Sequence, residues 1–250
     1  IRGMLHDNAL PFTTGSQIVS ALMLGLQEAF DREKILLLFD AASHPNEEVK
    51  VRALISILIT LYTYRKRTQL YPQIADRLAA LAETPGFIKT IRTIILRFIL
   101  ARETEKITRK LQDEIIPEML KLSPKLSKKI NLNELTSTLG KKMVEFGELQ
   151  QEGADVMHST FVHLKNFPFF HELSNWLLPF TIEHSYFDDQ FTPDNEAEKQ
   201  MLDSMTFAAF MCNSDKYSLY FSMMQLPKEA RKMMMNQFDS QATEMIQQNK

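Results

Sequence analysis

The stretch His44-Pro45-Asn46-Glu47-Glu48-Val49-Lys50-Val51-Arg52-Ala53-Leu54-Ile55 decides the fold. Its proline closes the helix before it, because proline lacks the N–H a helix interior needs. Asn46 then offers a side-chain oxygen to the free amides of a new first turn. Glu47 and Glu48 put negative charge at the positive end of the helix dipole. A helix running on to Arg65, Lys66 and Arg67 would carry those cations in its last turn, where the dipole favours them. At an offset of 40 residues the pattern returns: Thr84-Pro85-Gly86 takes the place of His44-Pro45-Asn46, Ile91-Arg92 of Val51-Arg52, and Ile94-Ile95 of Leu54-Ile55. Residues 31–43 and 71–83, ahead of the two prolines, correspond as well. The repeating unit is a helix, a proline turn and a second helix. One such pair cannot bury its apolar face alone, so pairs must stack.

Working outward, the reading stays helical. Thr14-Gly15-Ser16 offers an N-cap to a run bearing Ile18, Val19, Leu22, Leu26 and Phe30. Asp31 caps a helix with Ile35, Leu38, Phe39 and Ala42. Ile74, Leu78 and Leu81 share one face of another. Residues 87–102 form the next, carrying Ile88, Ile91, Ile95, Phe98 and Ile99. Ile107, Leu111 and Ile115 continue the spacing until Pro117 and Pro124 interrupt it. Helices are expected over 133–146 and 154–165, and from Pro193 and Pro227, each at a first helical position. Phe167-Pro168 and Leu178-Pro179 bracket an aromatic segment. No alternating run of strand length occurs. The expected class is all-α: a right-handed α-α superhelix, a solenoid of stacked helix pairs. Residues 1–130 hold the regular repeats, and 131–250 form an irregular helical continuation packed on them. Residues 17–30 read as the second half of a preceding unit, and the chain opens Ile1-Arg2-Gly3 without methionine. A piece of a longer array is therefore expected.

The segment Pro45–Leu54 resembles the start of the second helix of HEAT repeats, whose pattern is a proline turn, an acidic residue, Val-Arg, then Ala and Leu. Val49-Lys50 and Ala53 fit that spacing with lysine in place of arginine, and Thr93 stands where a second alanine would. The resemblance covers about residues 15–102. It implies a scaffold that binds macromolecules along a curved surface, as HEAT and armadillo arrays do. The stretch Phe167–Phe180 looks similar to parts of proteins that combine HEAT-like and tetratricopeptide repeats, although no complete tetratricopeptide consensus is present.

Composition narrows the chemistry. Of 250 residues, 44% are hydrophobic and 24% charged, a globular balance. With one cysteine, no intramolecular disulfide or cysteine zinc cluster is possible. Seven glycines do not supply a glycine-rich phosphate loop. No signal peptide is read in the first residues, and the longest apolar run, Ala53 to Leu61, is too short to span a bilayer. A soluble cytoplasmic protein that does not enter membranes is expected. The net charge of −2 hides blocks: residues 1–49 sum to −4, residues 50–142 to +11 and residues 143–250 to −9. The basic block either faces an acidic partner, protein or nucleic acid, or pairs with the acidic last third.

No catalytic, cofactor or metal set emerges. Asp155 and His158 share a helix face, but His163 is rotated away, and His171 and His184 read as residues flanking helices. Zinc needs three or four converging ligands. The acidic run Asp188, Asp189, Asp194, Glu196 and Glu198 lacks the central glycine of a calcium loop. Cys212, expected in an apolar helix with Phe207, Phe210 and Met211, has no basic neighbour to activate it. Ser159 and Ser174 lack a nucleophile elbow. Nine of 14 methionines lie in the last 50 residues, including Met233-Met234-Met235, and read as core or as an adaptable binding face. Phe167, Phe169, Phe170, Trp176 and Phe180 read as a hydrophobic plug. The leading expectation is a non-enzymatic helical-repeat scaffold that binds another protein, or modules of its own longer chain. Arg65, Lys66, Arg67, Arg92, Arg97 and Trp176 are the candidate contacts, and no cofactor is expected. The alternatives are nucleic-acid binding by the basic block and a metal-dependent enzyme using His158, His163, His171 or His184.

Overall fold

The computed structural model describes residues 2–5, 10–102, 104–110, 113, 164–187, 199, 202–203, 205–206 and 211–227. The expected helix over 133–146, most of that over 154–165 and the residues after Pro227 lie outside the described residues, as do Pro117 and Pro124; of the helix expected from Pro193, residues 199, 202–203 and 205–206 are described and are helical. All elements among the described residues are helical, with no strand. The chain is all-α. It forms two compact units: residues 1–87 with 164–250, and residues 88–163.

The first unit opens with α1 (Arg2–Leu5), α2 (Phe12–Glu28) and α3 (Arg32–Ala41), followed by α4 (Glu47–Thr63), α5 (Arg65–Thr68) and α6 (Pro72–Ala82). The two caps read from sequence are in place. Asp31 Oδ1 accepts from the amides of Glu33 and Lys34 at 2.8 and 3.1 Å. Asn46 Oδ1 accepts from those of Glu48 and Val49 at 3.0 and 3.4 Å. The start of α2 differs from expectation: it begins at Phe12, and Thr14, Gly15 and Ser16 lie within the helix. A Cβ on Gly15 would stand 3.2 Å from Val49 Cγ2, so the missing side chain lets α2 and α4 approach.

Three contacts fix the direction of that packing. Gly15 lies against Val49. Arg52 Nη1 donates to Ser20 Oγ at 2.8 Å, and the Tyr64 hydroxyl donates to Leu26 O at 2.7 Å. Positions rise together along both helices, so α2 and α4 run parallel. α3 packs on both, and α6 packs on α3, where Arg77 pairs with Asp40. Val19, Leu22, Leu26, Ile35, Leu38, Phe39, Val49, Ala53, Leu54 and Ile57 are buried along these seams. Each large aliphatic side chain so buried contributes roughly 1.5–3 kcal/mol before entropy is counted.

Arg65, Lys66 and Arg67 do not close α4. The helix stops at Thr63, Tyr64 leaves helical geometry, and the three cations form the separate turn α5. The cause is tertiary. Tyr64 is tied to Leu26, and its ring sits 5.3 Å edge-on from Phe30, which also packs 5.2 Å from Tyr71.

The unit is completed by a turn of 3-10 helix at Pro168–His171, α9 (Leu173–Trp176), a second 3-10 turn at Ser185–Phe187 and α10 (Asn213–Met224). Phe169, Phe170, Phe180, Phe187, Tyr217, Tyr220 and Phe221 form its buried core with Leu178, Leu202, Met205 and Met223. The expected aromatic plug is present here. Helix α10, which supplies its centre, was not anticipated. In the second unit, α7 (Phe87–Ala101, of which 88–101 belong to this unit) is followed by α8 (Thr104–Lys110). Gly86, at φ 81°, supplies the left-handed turn ahead of α7 that other residues adopt at a cost.

Candidate interaction surface

Helix α7 departs most from an ordinary amphipathic helix. Its apolar stripe was expected to be core, yet only Ile94 is buried. Ile88, Leu96 and Ile99 are 61, 52 and 57% exposed, and Ile95 and Phe98 are also exposed. Ile88, Arg92, Ile95, Leu96 and Ile99 share one side of the helix by spacing. With Lys89 and Thr93 they line an open groove of about 680 Å³ whose described lining comes from α7 alone. The helix contains three cations, Lys89, Arg92 and Arg97, and no acidic residue. All three are exposed, and none of them joins an ion pair among the described residues.

The second cluster of candidate residues is the α4–α5 corner. Arg65, Lys66 and Arg67 are exposed there, beside Tyr62 and Leu70, which are about three-quarters exposed. Arg65 lies 5.3 Å from the Tyr62 ring centroid and donates to Tyr62 O at 3.2 Å. The Arg67 guanidinium covers the Phe30 ring at 4.3 Å. Arg67 thus closes the aromatic cluster that holds the corner, and Lys66 reaches outward with no contact of this kind. Arg65–Arg67 lie in the first compact unit, and Arg92 and Arg97 in the second. Trp176 is 41% exposed, but its indole N–H donates to Phe170 O at 2.7 Å. Its ring packs 5.1 Å from Phe170 and lies 5.8 Å from Lys165 Nζ. It forms the rim of the aromatic core.

Four cations of the basic block are paired close to home. Lys50 pairs with Glu47, Arg52 with Glu48, Arg77 with Asp40 and Arg109 with Glu105. These acids belong to the first block or to the basic block itself. Arg52 is the most engaged of these cations. It also donates to Leu177 O, while Asn213 Nδ2 donates to Glu48 Oε1 at 3.3 Å. That node ties the 164–227 segment to α4.

The polar interior of the same segment could be mistaken for chemistry. Lys165 Nζ meets Asp215 Oδ1 at 2.6 Å and Ser214 Oγ at 3.1 Å in a nearly buried ion pair. Lys216 is buried and donates to Thr206 O at 2.9 Å. Desolvation lowers its pKa below the usual lysine range, against the opposing pull of Glu48. The Cys212 residue is exposed overall, yet packing around its sulfur raises the thiol by desolvation, and Asp215 raises it further. That thiol is the opposite of an activated nucleophile. Cys212 stands just ahead of α10, not inside an apolar helix.

Of the histidines, His171 is exposed, and His184 Nδ1 accepts from the Tyr186 amide at 3.2 Å with its ring against Phe169. Ser174 is an exposed residue of α9. Asp155, His158, Ser159, His163, the acidic run at 188–198 and Met233–Met235 lie outside the described residues. Among the described residues no three His, Cys, Asp or Glu side chains group as a metal site would need, and no helix is long and apolar enough to cross a membrane. Comparison of the chain with protein-family models, curated proteins and solved structures finds no match.

Proposed function

We propose that this chain is a non-catalytic α-solenoid scaffold that binds another protein. The exposed apolar and basic face of α7 carries the reading most directly. An apolar stripe of this size left on a surface and rimmed by charge is the usual mark of a protein-binding site. Two further features support an extensible array. α4 lies parallel on α2, α3 packs against both, and α6 packs on α3. That is the order in which stacked HEAT-like helix pairs bury one another. The 40-residue offset in the sequence and the two proline turns agree with it. The curved superhelix, the family resemblance and a partner in the cytoplasm belong to this proposal.

The test is quantitative affinity capture of tagged protein from native cells, using wild type, an α5 variant (R65E with K66E) and an α7 variant (R92E with R97E). Wild type is expected to retain a reproducible partner that at least one variant loses. If wild type retained none while the purified protein turned over a substrate, the scaffold reading would fail. Retention of duplex DNA or RNA in a gel shift at about 50 mM salt, with no protein partner, would overturn it in favour of nucleic-acid binding.

A further inference from the structure

We infer that the groove along α7 receives one amphipathic helix of a separate partner protein, with acidic side chains flanking its apolar stripe. The inference rests on the scaffold reading and specifies the chemistry of its partner. Ile88, Ile95, Leu96 and Ile99 offer apolar contact over about 16 Å of helix axis, with Arg92 at the turn between the first two. An amphipathic helix lays down its own side chains at the same spacing, the geometry of helix-in-groove recognition. Lys89 and Arg92, which line the groove, set its sign, while Arg97 lies on the opposite side of the helix by spacing. Acids flanking the partner's stripe would meet them, whereas lysines there would meet like charge.

The same groove argues against two other occupants. A second copy docking its α7 on this one would bring two cations against two across an apolar seam. A nucleic acid would meet isoleucine and leucine on the floor where its phosphates and bases need polar groups. A lipid surface would accept the same apolar and basic face, so vesicle binding is the outcome that separates it from a partner helix.

The probes are two fluorescent peptides of about five helical turns with the same leucine stripe, one flanked by glutamate and one by lysine. Each is titrated into the intact protein by fluorescence anisotropy at low and moderate salt, alongside phosphatidylcholine vesicles containing phosphatidylserine. The glutamate peptide is expected to bind about three- to tenfold more tightly than the lysine peptide, the range two exposed ion pairs supply. Added salt should narrow the gap. In K89E with R92E, whose side chains are exposed and whose helical circular dichroism should be unchanged, the preference should reverse. Equal binding of both peptides, binding of neither, an unchanged preference in the variant, tighter retention of vesicles than of peptide, or dimerisation through α7 would each overturn the inference. Peptide binding decides this inference and cellular capture decides the scaffold reading. If capture is intact in R92E with R97E, the scaffold stands without α7 as its binding face.

Discussion

Arg52 joins three parts of the first unit through one guanidinium: Ser20 on α2, Glu48 on its own helix, and Leu177 O ahead of α10. Removing it leaves the part-buried Leu177 carbonyl without this donor and the Glu48 carboxylate with Asn213 alone. Arg52→Ala is expected to cost about 1–3 kcal/mol in chemical denaturation. Arg52→Lys keeps the charge but loses the planar fork that serves two directions at once, so it should recover only part of that. A full-stability Arg52→Ala would show that the 164–227 segment is held elsewhere. Tyr217 gives a second test, with a pH signature. Its hydroxyl donates to Pro179 O at 2.8 Å and accepts from the Thr181 amide at 3.0 Å. Burial pushes its ionisation well above the ordinary tyrosine range. The folded state therefore holds this proton where the unfolded chain has released it. The stability it contributes is complete below about pH 10 and declines as pH rises above that value. Tyr217→Phe should cost about 1–3 kcal/mol near neutral pH and should flatten the alkaline decline relative to wild type. An equally steep decline in both proteins would assign that decline to other groups.

At the scale of elements, caps and close approaches set the helix ends and their packing. Asn46→Ala removes the oxygen that satisfies two first-turn amides of α4 and is expected to cost about 1 kcal/mol, while Asn46→Gly should cost only a few tenths. Equal losses in the two variants would mean that the cap does not act through its side chain. Gly15→Leu would drive a side chain into Val49 and should destabilise by about 1–3 kcal/mol, with Val49→Ala restoring part of the loss. Both caps were legible because an Asn or Asp ahead of an apolar periodic run has a local physical meaning. The break at Tyr64 was not. It depends on Leu26 and Phe30, more than thirty residues upstream, and nothing local distinguishes Arg65–Arg67 from a last helical turn. Helix α10 was readable and was missed. Tyr217, Tyr220, Phe221 and Met224 follow helical spacing, but Ser214, Ser218 and Ser222 alternate with them. Ser218 and Ser222 hydroxyls return to the carbonyls four residues back, which hides their cost. The candidate residues on α7 were picked for charge. That its isoleucines stay outside could not be read, because periodicity gives the stripe and leaves open what covers it.

For the whole molecule, helical class follows from proline turns and 3.6-residue spacing, which act locally. The stacking of pairs follows only if the 40-residue offset reflects equivalent units. In the first unit α4 rests parallel on α2 through Gly15 and Val49, Ser20 and Arg52, and Leu26 and Tyr64, as stacking of pairs would require. Next-but-one helices also run parallel in an up-and-down bundle, so the array reading needs in addition the packing of α6 on α3. Parallel next-but-one helices are what allow one pair to stack on the next, and with it a face such as that of α7 to be offered to a partner. The deciding measurement is a pair of electron–electron distances between spin labels, in a Cys212→Ser background that clears the one native thiol. Gln27 near the end of α2 is labelled together with either Tyr62 near the end of α4 or Glu47 at its start, all three being exposed positions. With α2 and α4 parallel, the Gln27–Tyr62 distance should be the shorter by about 14 Å, given about 22 Å along α4 between the two labels and about 10 Å between packed helices. A shorter Gln27–Glu47 distance would mean antiparallel helices and would contradict the stacked-pair array.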